Sequence, residues 1–217
     1  LNRHLTNLVD EGLLDTGPDQ YYHVGLRLLQ FASKAWSGNE FRQIAEPHLK
    51  SLHEATGETV HLGVLQGVDV IYVDKFESTR SVRMHSQIGN TSPAYCTGDG
   101  KAALASLAPD IARSRVQSIS FTQFTPTTLK DADALLADLK TIRAEGLSFD
   151  REEHETGIHC IAAPIHSSDR SFVAGLSVTA PCYRVSMDQM MSWSNEIKEA
   201  ARNISEDLNT RMGPRRS

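Results

Sequence analysis

The stretch DREEHETGIHCIAAPI, from Asp150 to Ile165, decides how this chain is interpreted. Its first half is acidic and typical of a loop, and beyond Gly157 it becomes a continuous apolar run, which is typical of a buried strand. This order predicts that Asp150 and Cys160 lie near each other at one end of a sheet. Such a cluster is compatible with a pocket for a small molecule, with a metal site or with a nucleophile.

A metal site is the first of these alternatives. Zinc prefers His and Cys ligands in a tetrahedral arrangement. The stretch contains a single cysteine, Cys160, and its histidines, His154 and His159, do not share one face of a helix. We therefore expect no metal site here.

A nucleophile is the second alternative, with Cys160 assisted by a histidine and oriented by Asp150. His159 and Cys160 are adjacent, however, and neighbouring residues of a strand point to opposite faces. The chain also has no nucleophile elbow. We expect Cys160 to be a small buried residue and the protein to be neither an enzyme nor dependent on a cofactor.

The composition is that of a soluble globular protein, with 40% hydrophobic and 23% charged residues among 217. A net charge of −5 argues against a surface coated for nucleic acid, so any DNA-binding part must be small. Three cysteines make no disulfide framework and favour a reducing cytoplasm. No apolar run reaches the roughly 18 residues that a membrane span needs, and no signal peptide opens the chain.

The first residues have the pattern of a helix followed by a small hairpin. Residues 1–12 are amphipathic and end in Gly12, and residues 13–24 form two short extended runs around Gly17 and Pro18. This is the pattern of the second half of a winged helix-turn-helix, although any surface helix with a hairpin shares it. Because Leu1 already belongs to the helical pattern, we expect upstream sequence to be missing.

The rest of the chain alternates between helical and extended periods. Helices are expected at 26–36, at 40–56 with a kink or restart at Pro47, and at 98–107, 109–116, 128–145 and 186–209. Thr128 and Asp131 are the expected capping pair of the helix that Gly146 ends. Strands are expected at 59–65, 68–76, 81–88, 93–97, 147–151, 160–166 and 172–179. Hairpins outnumber βαβ units, which indicates an α+β fold with an antiparallel sheet flanked by helices.

Two further motifs carry functional alternatives. Gly98-Asp-Gly-Lys101 begins a helix after an extended run, so its backbone N–H groups either attract an anion or form a plain helix start. The Asp99 carboxylate either caps the helix or points into a pocket, where it would repel an acid. Ser177 and Thr179 share one face of a strand, and their hydroxyls either orient a polar ligand or bond within the sheet.

Several segments, in this order, resemble the IclR family of bacterial transcriptional regulators. The resemblance covers nearly the whole chain, and its most distinctive part is Asp150–Pro164. The other matching segments are residues 1–14, YHVGLRLL at 22–29, GETVHLGV at 57–64, VIYVDKFES at 70–78 and GDGKA at 98–102.

The resemblance implies a DNA-binding repressor or activator that responds to a small metabolite, often a carboxylic acid. Residues 1–24 would be the C-terminal part of a winged helix-turn-helix domain, 25–39 a linker helix used in dimerisation, and 40–217 a GAF-like effector domain. The implied partners are operator DNA, the effector and a second copy of the chain, as a homodimer or a dimer of dimers.

The resemblance also assigns an effector site by position. Gly98 and Asp99 would offer backbone N–H groups to a ligand carboxylate. The ligand's polar groups would meet Asp150, Cys160, Ser177 and Thr179, and an apolar wall would stand at Met84, Ser92 and Ile158.

Departures from the family pattern suggest the kind of effector. Asp99 stands where the family usually has a small or apolar residue, Ser92 stands where an apolar one is common, and Thr179 replaces a serine. The site looks more polar and more acidic than usual for the family, so we expect a hydroxyl-rich effector such as a sugar acid. The segment VRMHSQIG at 82–89 likewise resembles regulators of sugar-acid catabolism.

The expected DNA contacts lie on the first helix, at Asn2, Arg3, His4 and Thr6. Arg3 would meet a phosphate or a guanine edge, although an exposed arginine on a surface helix explains the same pattern. Without the first half of its helix-turn-helix, the 217-residue chain is expected to bind operator DNA poorly. Two other functions are alternatives to a transcriptional regulator. One is a stand-alone GAF-like sensor, which the upstream sequence would distinguish, and the other is a cysteine-dependent hydrolase, which loss of activity in Cys160→Ser would reveal.

Overall fold

The computed structural model describes residues 2–80 and 86–211, and of Asn2 only the backbone. Met84 and most of the strand expected at 81–88 lie outside the described residues, and Ser86–Ile88 are not in a strand. The chain divides into two compact units, Leu1–Glu40 and Phe41–Ser217. The finer boundaries at residues 24 and 39 stay predictions. Within the described ranges, no helix combines the length and apolar character that crossing a membrane requires.

The first unit contains the expected helix, hairpin and helix. These are α1 (Asn2–Asp10), β1 (Leu14–Thr16), β2 (Tyr22–Val24) and α2 (Leu26–Ser37). Gly12 follows α1 with a φ of +67°, a conformation that glycine adopts without strain, and its N–H donates to the Val9 carbonyl. The N-terminal prediction is therefore confirmed at the level of its elements.

The second unit is a six-stranded sheet with helices on its faces. Its helices are α3 (Glu40–Thr56), α4 (Gly98–Ser106), α5 (Pro109–Gln117), α6 (Ala132–Glu145), α7 (Met187–Ser192) and α8 (Ser194–Arg211). Its strands are β3 (Thr59–Gln66), β4 (Asp69–Phe76), β5 (Thr91–Pro93), β6 (Ser148–Arg151), β7 (Ile158–His166) and β8 (Val173–Pro181). They lie in the order β5-β4-β3-β8-β7-β6, and all neighbours are antiparallel. This confirms the predicted α+β class.

Strand alternation separates the two faces of the sheet. One face carries apolar side chains that form the main core together with α3, α7 and α8, among them Val60, Leu62, Ile161, Leu176 and Val178. The other face is covered by α4, and its side chains are smaller and more polar. That second face holds the functional candidates.

Three local predictions were wrong. The helix expected from Thr128 begins at Ala132, because Asp131 caps it by accepting the Ala134 N–H at 2.9 Å. The strand expected at 93–97 lies at Thr91–Pro93, and the single helix expected at 186–209 is divided into α7 and α8 at Trp193. Of the two alternatives expected at Pro47, the structure excludes a restart, since α3 continues through this residue. The kink stays a prediction.

The N-terminus of α4 lies directly on the sheet because glycines remove the side chains between them. Gly63 and Gly175 face each other on β3 and β8. A Cβ on Gly175 would lie 2.2 Å from the Asp99 carbonyl oxygen, and a Cβ on Gly63 would lie 2.5 Å from Asp99 Oδ2. On the helix itself, a Cβ on Gly98 would lie 2.7 Å from Cys160 Sγ. Only glycine permits so close an approach.

Gly175→Ala should therefore destabilise the second unit by about 1–3 kcal/mol, because backbone atoms of α4 have to move to admit the methyl group. Urea denaturation monitored by circular dichroism measures this as a lower midpoint. Gly67→Asn is the matched control. Gly67 has a φ of +65°, and a Cβ there would meet no atom within 4 Å; Asn tolerates that conformation. Equal midpoints for the Gly175→Ala variant and the wild type would contradict the close contact.

Candidate functional site

A cavity of about 220 Å³ lies at the N-terminal end of α4, between this helix, the polar face of the sheet and the turn after β6. All the effector-site residues assigned by the resemblance that the structure describes line this cavity: Ser92, Gly98, Asp99, Asp150, Ile158, Cys160, Ser177 and Thr179. The other lining residues are His61, Tyr72, Ser86, Asn90, Thr91, Thr97, His154 and Glu155. The fold thus brings distant parts of the sequence together, since Ser92 and Thr179 are 87 residues apart and both line this cavity.

The strand register places three of the predicted residues in one row across the sheet. Asp150 on β6 lies opposite Cys160 on β7, and Cys160 lies opposite Thr179 on β8. The expectation that Asp150 and Cys160 are neighbours is confirmed. Ser177 lies two residues before Thr179, on the same face.

Asp150 is held in place by a buried charge network. Its Oδ1 accepts the Glu153 N–H at 2.6 Å. The Glu153 carboxylate accepts from Lys101 Nζ at 2.6 and 2.7 Å, and Asp138 pairs with the same ammonium at 2.8 Å. Lys101 is 1% exposed, so its charge is compensated by two carboxylates within the protein. It positions the turn after β6 and does not line the cavity.

Threonines fix the backbone of the same turn. The Thr125 and Thr127 hydroxyls donate to the Glu152 carbonyl at 2.6 and 2.7 Å, and the Thr128 hydroxyl donates to the Glu153 carbonyl at 2.6 Å. Glu152 has a φ of +61°, which non-glycine residues seldom adopt. Surrounding hydrogen bonds therefore impose the turn, and Thr128 serves this purpose instead of capping α6.

Asp99 combines the two roles that the sequence left open. It is 2% exposed, and burial raises the pKa of its carboxyl to about 6, against the opposing effect of hydrogen bonds from the backbone N–H groups of Asp99 and Gly100 and from Thr97. Its Oδ2 is buried without a hydrogen-bond partner. The side chain thus accepts hydrogen bonds at the start of α4 and also lines the cavity.

Burial also governs the other titratable groups of the cavity. It raises the pKa of Asp150 to about 7, and it lowers the pKa of His61 to about 3 with a further contribution from Lys75. Burial, and then Asp99, raise the pKa of the Cys160 thiol above its usual range. A protonated thiol is a poor nucleophile, which argues against a cysteine hydrolase. None of the described lining residues is Lys or Arg.

His61 and Tyr72 line the cavity although the sequence pattern did not single them out. The His61 Nε2 atom lies 2.7 Å from Ser86 Oγ, its Nδ1 lies 3.3 Å from Thr179 Oγ1, and its ring centre lies 5.1 Å from that of Tyr72. A histidine within an otherwise mostly apolar strand is a signal that could have marked His61 as a candidate site residue. Its place opposite Ser177 depends on the pairing of β3 with β8, which local periodicity does not reveal.

The expected DNA contacts lie in the first unit and take no part in this cavity. Arg3, His4 and Thr6 are on α1, with Arg3 and His4 exposed, and Asn2 is the first residue of that helix. Their role in DNA binding stays a prediction.

Known proteins share both the sequence pattern and the fold. The family profile described as bacterial transcriptional regulator IclR C-terminal matches residues 33–206. The HTH-type transcriptional repressor AllR of Escherichia coli strain K12 is 32% identical over 194 residues, which cover 89% of this chain and 72% of that protein.

Solved structures agree with the sequence matches. The crystal structure of the Thermotoga maritima IclR has a TM-score of 0.80 and 30% identity, covering 95% of this chain and 83% of that one. An IclR homologue from Microbacterium hydrocarbonoxydans, crystallised with 4-hydroxybenzoate, has a TM-score of 0.77 and 25% identity, with 96% and 85% of the two chains covered.

Asp99→Asn should stabilise the protein at pH 8. The pKa of Asp99 is about 6 in the folded state against an ordinary value of 3.8, so the buried charge costs up to about 3 kcal/mol above pH 6. Because a raised carboxyl pKa favours folding only while the group is protonated, the advantage of the variant should shrink as the pH falls from about 6 towards 4. Urea titrations across this range measure the difference in unfolding free energy.

Asp110→Asn is the matched control, because Asp110 lies in the first turn of α5 but is exposed. It should lose only a small favourable interaction with the helix dipole. A lower stability of Asp99→Asn at pH 8 would contradict the assignment of Asp99 as a buried, destabilising charge.

Proposed function

Since this chain belongs to the IclR family of bacterial transcriptional regulators, we propose that its cavity binds a small hydroxyl-rich acid, of the sugar-acid class, and that this binding modulates its attachment to operator DNA. The observation that carries the proposal is the composition of the cavity. Buried carboxyls, hydroxyls and a helix N-terminus converge there, without a lysine or arginine among the described lining residues.

The hydroxyl groups of such a ligand have matching partners. A carboxylate accepts hydrogen bonds, whereas a serine or threonine hydroxyl both donates and accepts. Because burial raises the pKa of Asp150 to about 7, this carboxyl is largely protonated at pH 6 and would both donate to and accept from ligand hydroxyls. Ser177 and Thr179 would exchange hydrogen bonds with the same hydroxyls. A volume of about 220 Å³ suits a metabolite of roughly sugar size or smaller.

The acid group of the ligand has to share the start of α4 with Asp99. Two carboxylates in one buried site do not both remain ionised easily. We therefore expect Asp99 to take up a proton when an acid binds there. The homologue crystallised with 4-hydroxybenzoate, itself a hydroxylated carboxylic acid, gives support by analogy.

The remaining parts of the proposal concern DNA and assembly. Helix α2 has no buried residue, and its large apolar side chains are exposed, among them Leu26, Leu29, Phe31 and Trp36. A helix of this kind suits the dimer contact that the family resemblance assigns to it. In this proposal the dimer presents two copies of α1 to DNA, in keeping with a regulator rather than a stand-alone sensor.

Isothermal titration calorimetry tests the effector class directly. At pH 6, aldonates or keto-deoxy sugar acids should bind more tightly than pyruvate, because pyruvate lacks the hydroxyls that Asp150, Ser177 and Thr179 recognise. Affinity for the preferred acid should fall by about tenfold per pH unit above pH 6 if one proton is taken up. Ser177→Ala should weaken binding by about tenfold, the equivalent of one hydrogen bond.

Asp99→Asn separates the acid's contribution from that of its hydroxyls. This variant should bind the acid at pH 8 more tightly than the wild type and should lose the part of the pH dependence that Asp99 causes. The uncharged amide of the same acid reports the remaining pH dependence, which comes from Asp150 with its pKa of about 7 and should be equal in the two proteins. Tighter binding of pyruvate than of every polyhydroxy acid would overturn the proposed effector class.

A further inference from the structure

A second cluster of chemically active side chains lies outside the cavity, beside the same turn. Glu152, His159 and Cys182 bring one carboxylate oxygen, one imidazole nitrogen and one sulfur within 4.8 Å of one another. His159 is adjacent to Cys160 on β7, so strand alternation directs it to the other side of the strand from the cavity. Nothing in the proposed effector site uses these three residues.

The backbone under each of the three residues is fixed. Glu152 follows β6 and is held through its carbonyl by Thr125 and Thr127. His159 lies within β7, paired with residues of β6 and β8. Cys182 follows β8, and its N–H donates to the Gly157 carbonyl at 2.8 Å. The three ligand groups are therefore brought together before any ion binds.

The side chains also have binding capacity to spare. The His159 Nδ1 atom is buried without a hydrogen-bond partner, and its Nε2 lies 3.8 Å from Glu152 Oε1. Glu152 Oε2 accepts the Gly157 N–H at 2.7 Å, which orients the carboxylate and leaves Oε1 for another partner. The Cys182 thiol is free and only partly buried, so it is accessible to an ion from solvent.

We infer that Glu152, His159 and Cys182 form a site for a divalent transition metal of the zinc type. A thiolate, an imidazole and a carboxylate are the three ligand classes that zinc uses in proteins, and a water molecule completes a tetrahedral set. Binding releases the thiol proton to solvent, which gives the sulfur its ligand charge. The sequence pattern predicted no metal site because Cys160 was the cysteine nearest to His154 and His159 along the chain. The cysteine of the cluster is instead Cys182, which follows β8.

Such an ion would connect the turn at 152–157 to the end of β8. His154 and Glu155 of that turn, and Ile158 directly after it, line the cavity. Metal occupancy would therefore stiffen one wall of the effector cavity without contacting the effector.

The test uses the 217-residue chain without an affinity tag, stripped of metal with a chelator and titrated with Co²⁺ as a spectroscopic substitute for Zn²⁺. One equivalent should produce a thiolate-to-cobalt charge-transfer band together with the visible bands of a tetrahedral ion. Cys182→Ser should abolish the charge-transfer band. His159→Gln and Glu152→Gln should each weaken Zn²⁺ binding, measured by chelator competition, by about 10–100-fold or more.

Cys96→Ala and Cys160→Ala are the matched controls, because both thiols lie outside the cluster and should leave the band intact. A second measurement in the unaltered chain is independent of how the variants fold: Zn²⁺ should protect Cys182 from alkylation, as read by mass spectrometry. A charge-transfer band that persists in Cys182→Ser or is lost in Cys160→Ala, alkylation of Cys182 unaffected by Zn²⁺, or no stoichiometric binding would each overturn the assignment.

Discussion

The direct contact between the first turn of α4 and the sheet is the constraint on which the cavity depends. Gly63 and Gly175 remove side chains from the sheet, and Gly98 removes one from the helix. The helix N-terminus can then lie against Cys160 and against the β3–β8 pair. Any larger residue at these positions would lift α4 and separate the N–H groups of its first turn from the hydroxyls and carboxyls of the sheet.

The distribution of charge follows from that contact. Lys101 lies in the first turn of α4, and the carboxylates of Glu153 and Asp138 neutralise its buried ammonium group. The buried carboxyls that face the cavity, Asp99 and Asp150, receive no such ion pair among the described residues, and burial raises the pKa of each. Uncompensated buried carboxyls cost stability, and they persist more readily where a ligand satisfies them. The buried cation thus shapes the turn beside the cavity, and in the proposed function the ligand completes the site.

Local sequence patterns predicted the features that depend on neighbours along the chain. The change from an acidic loop to an apolar strand beyond Gly157 was enough to predict that Asp150 and Cys160 are neighbours. Strand alternation was enough to place Ser177 and Thr179 on one face. Local periodicity could not predict the order of the strands in the sheet. That order places His61 and Tyr72 in the same cavity as these residues. Thr128 was misassigned because a capping residue and a residue that holds a distant turn have the same local signature.

Long-range assembly also explains why the metal cluster is not visible in the local sequence. Glu152 and His159 lie in the stretch that first suggested metal ligands, but Cys182 joins them only because β8 pairs with β7 and ends beside their turn. The site residues assigned by family resemblance converge on one cavity, with Met84 outside the described residues. Their role in binding rests on the proposal, whereas their proximity is a property of the fold.

An acid effector that binds at the start of α4, beside Asp99, is the central feature of the proposed mechanism. Backbone amide NMR of the isotope-labelled chain, titrated with an aldonate at pH 6, tests it most directly. We predict that the largest chemical-shift changes fall on the amides of Gly98, Asp99 and Gly100, with smaller changes along β8 at Ser177 and Thr179. Saturable binding that leaves the amides of this helix turn unchanged would contradict it.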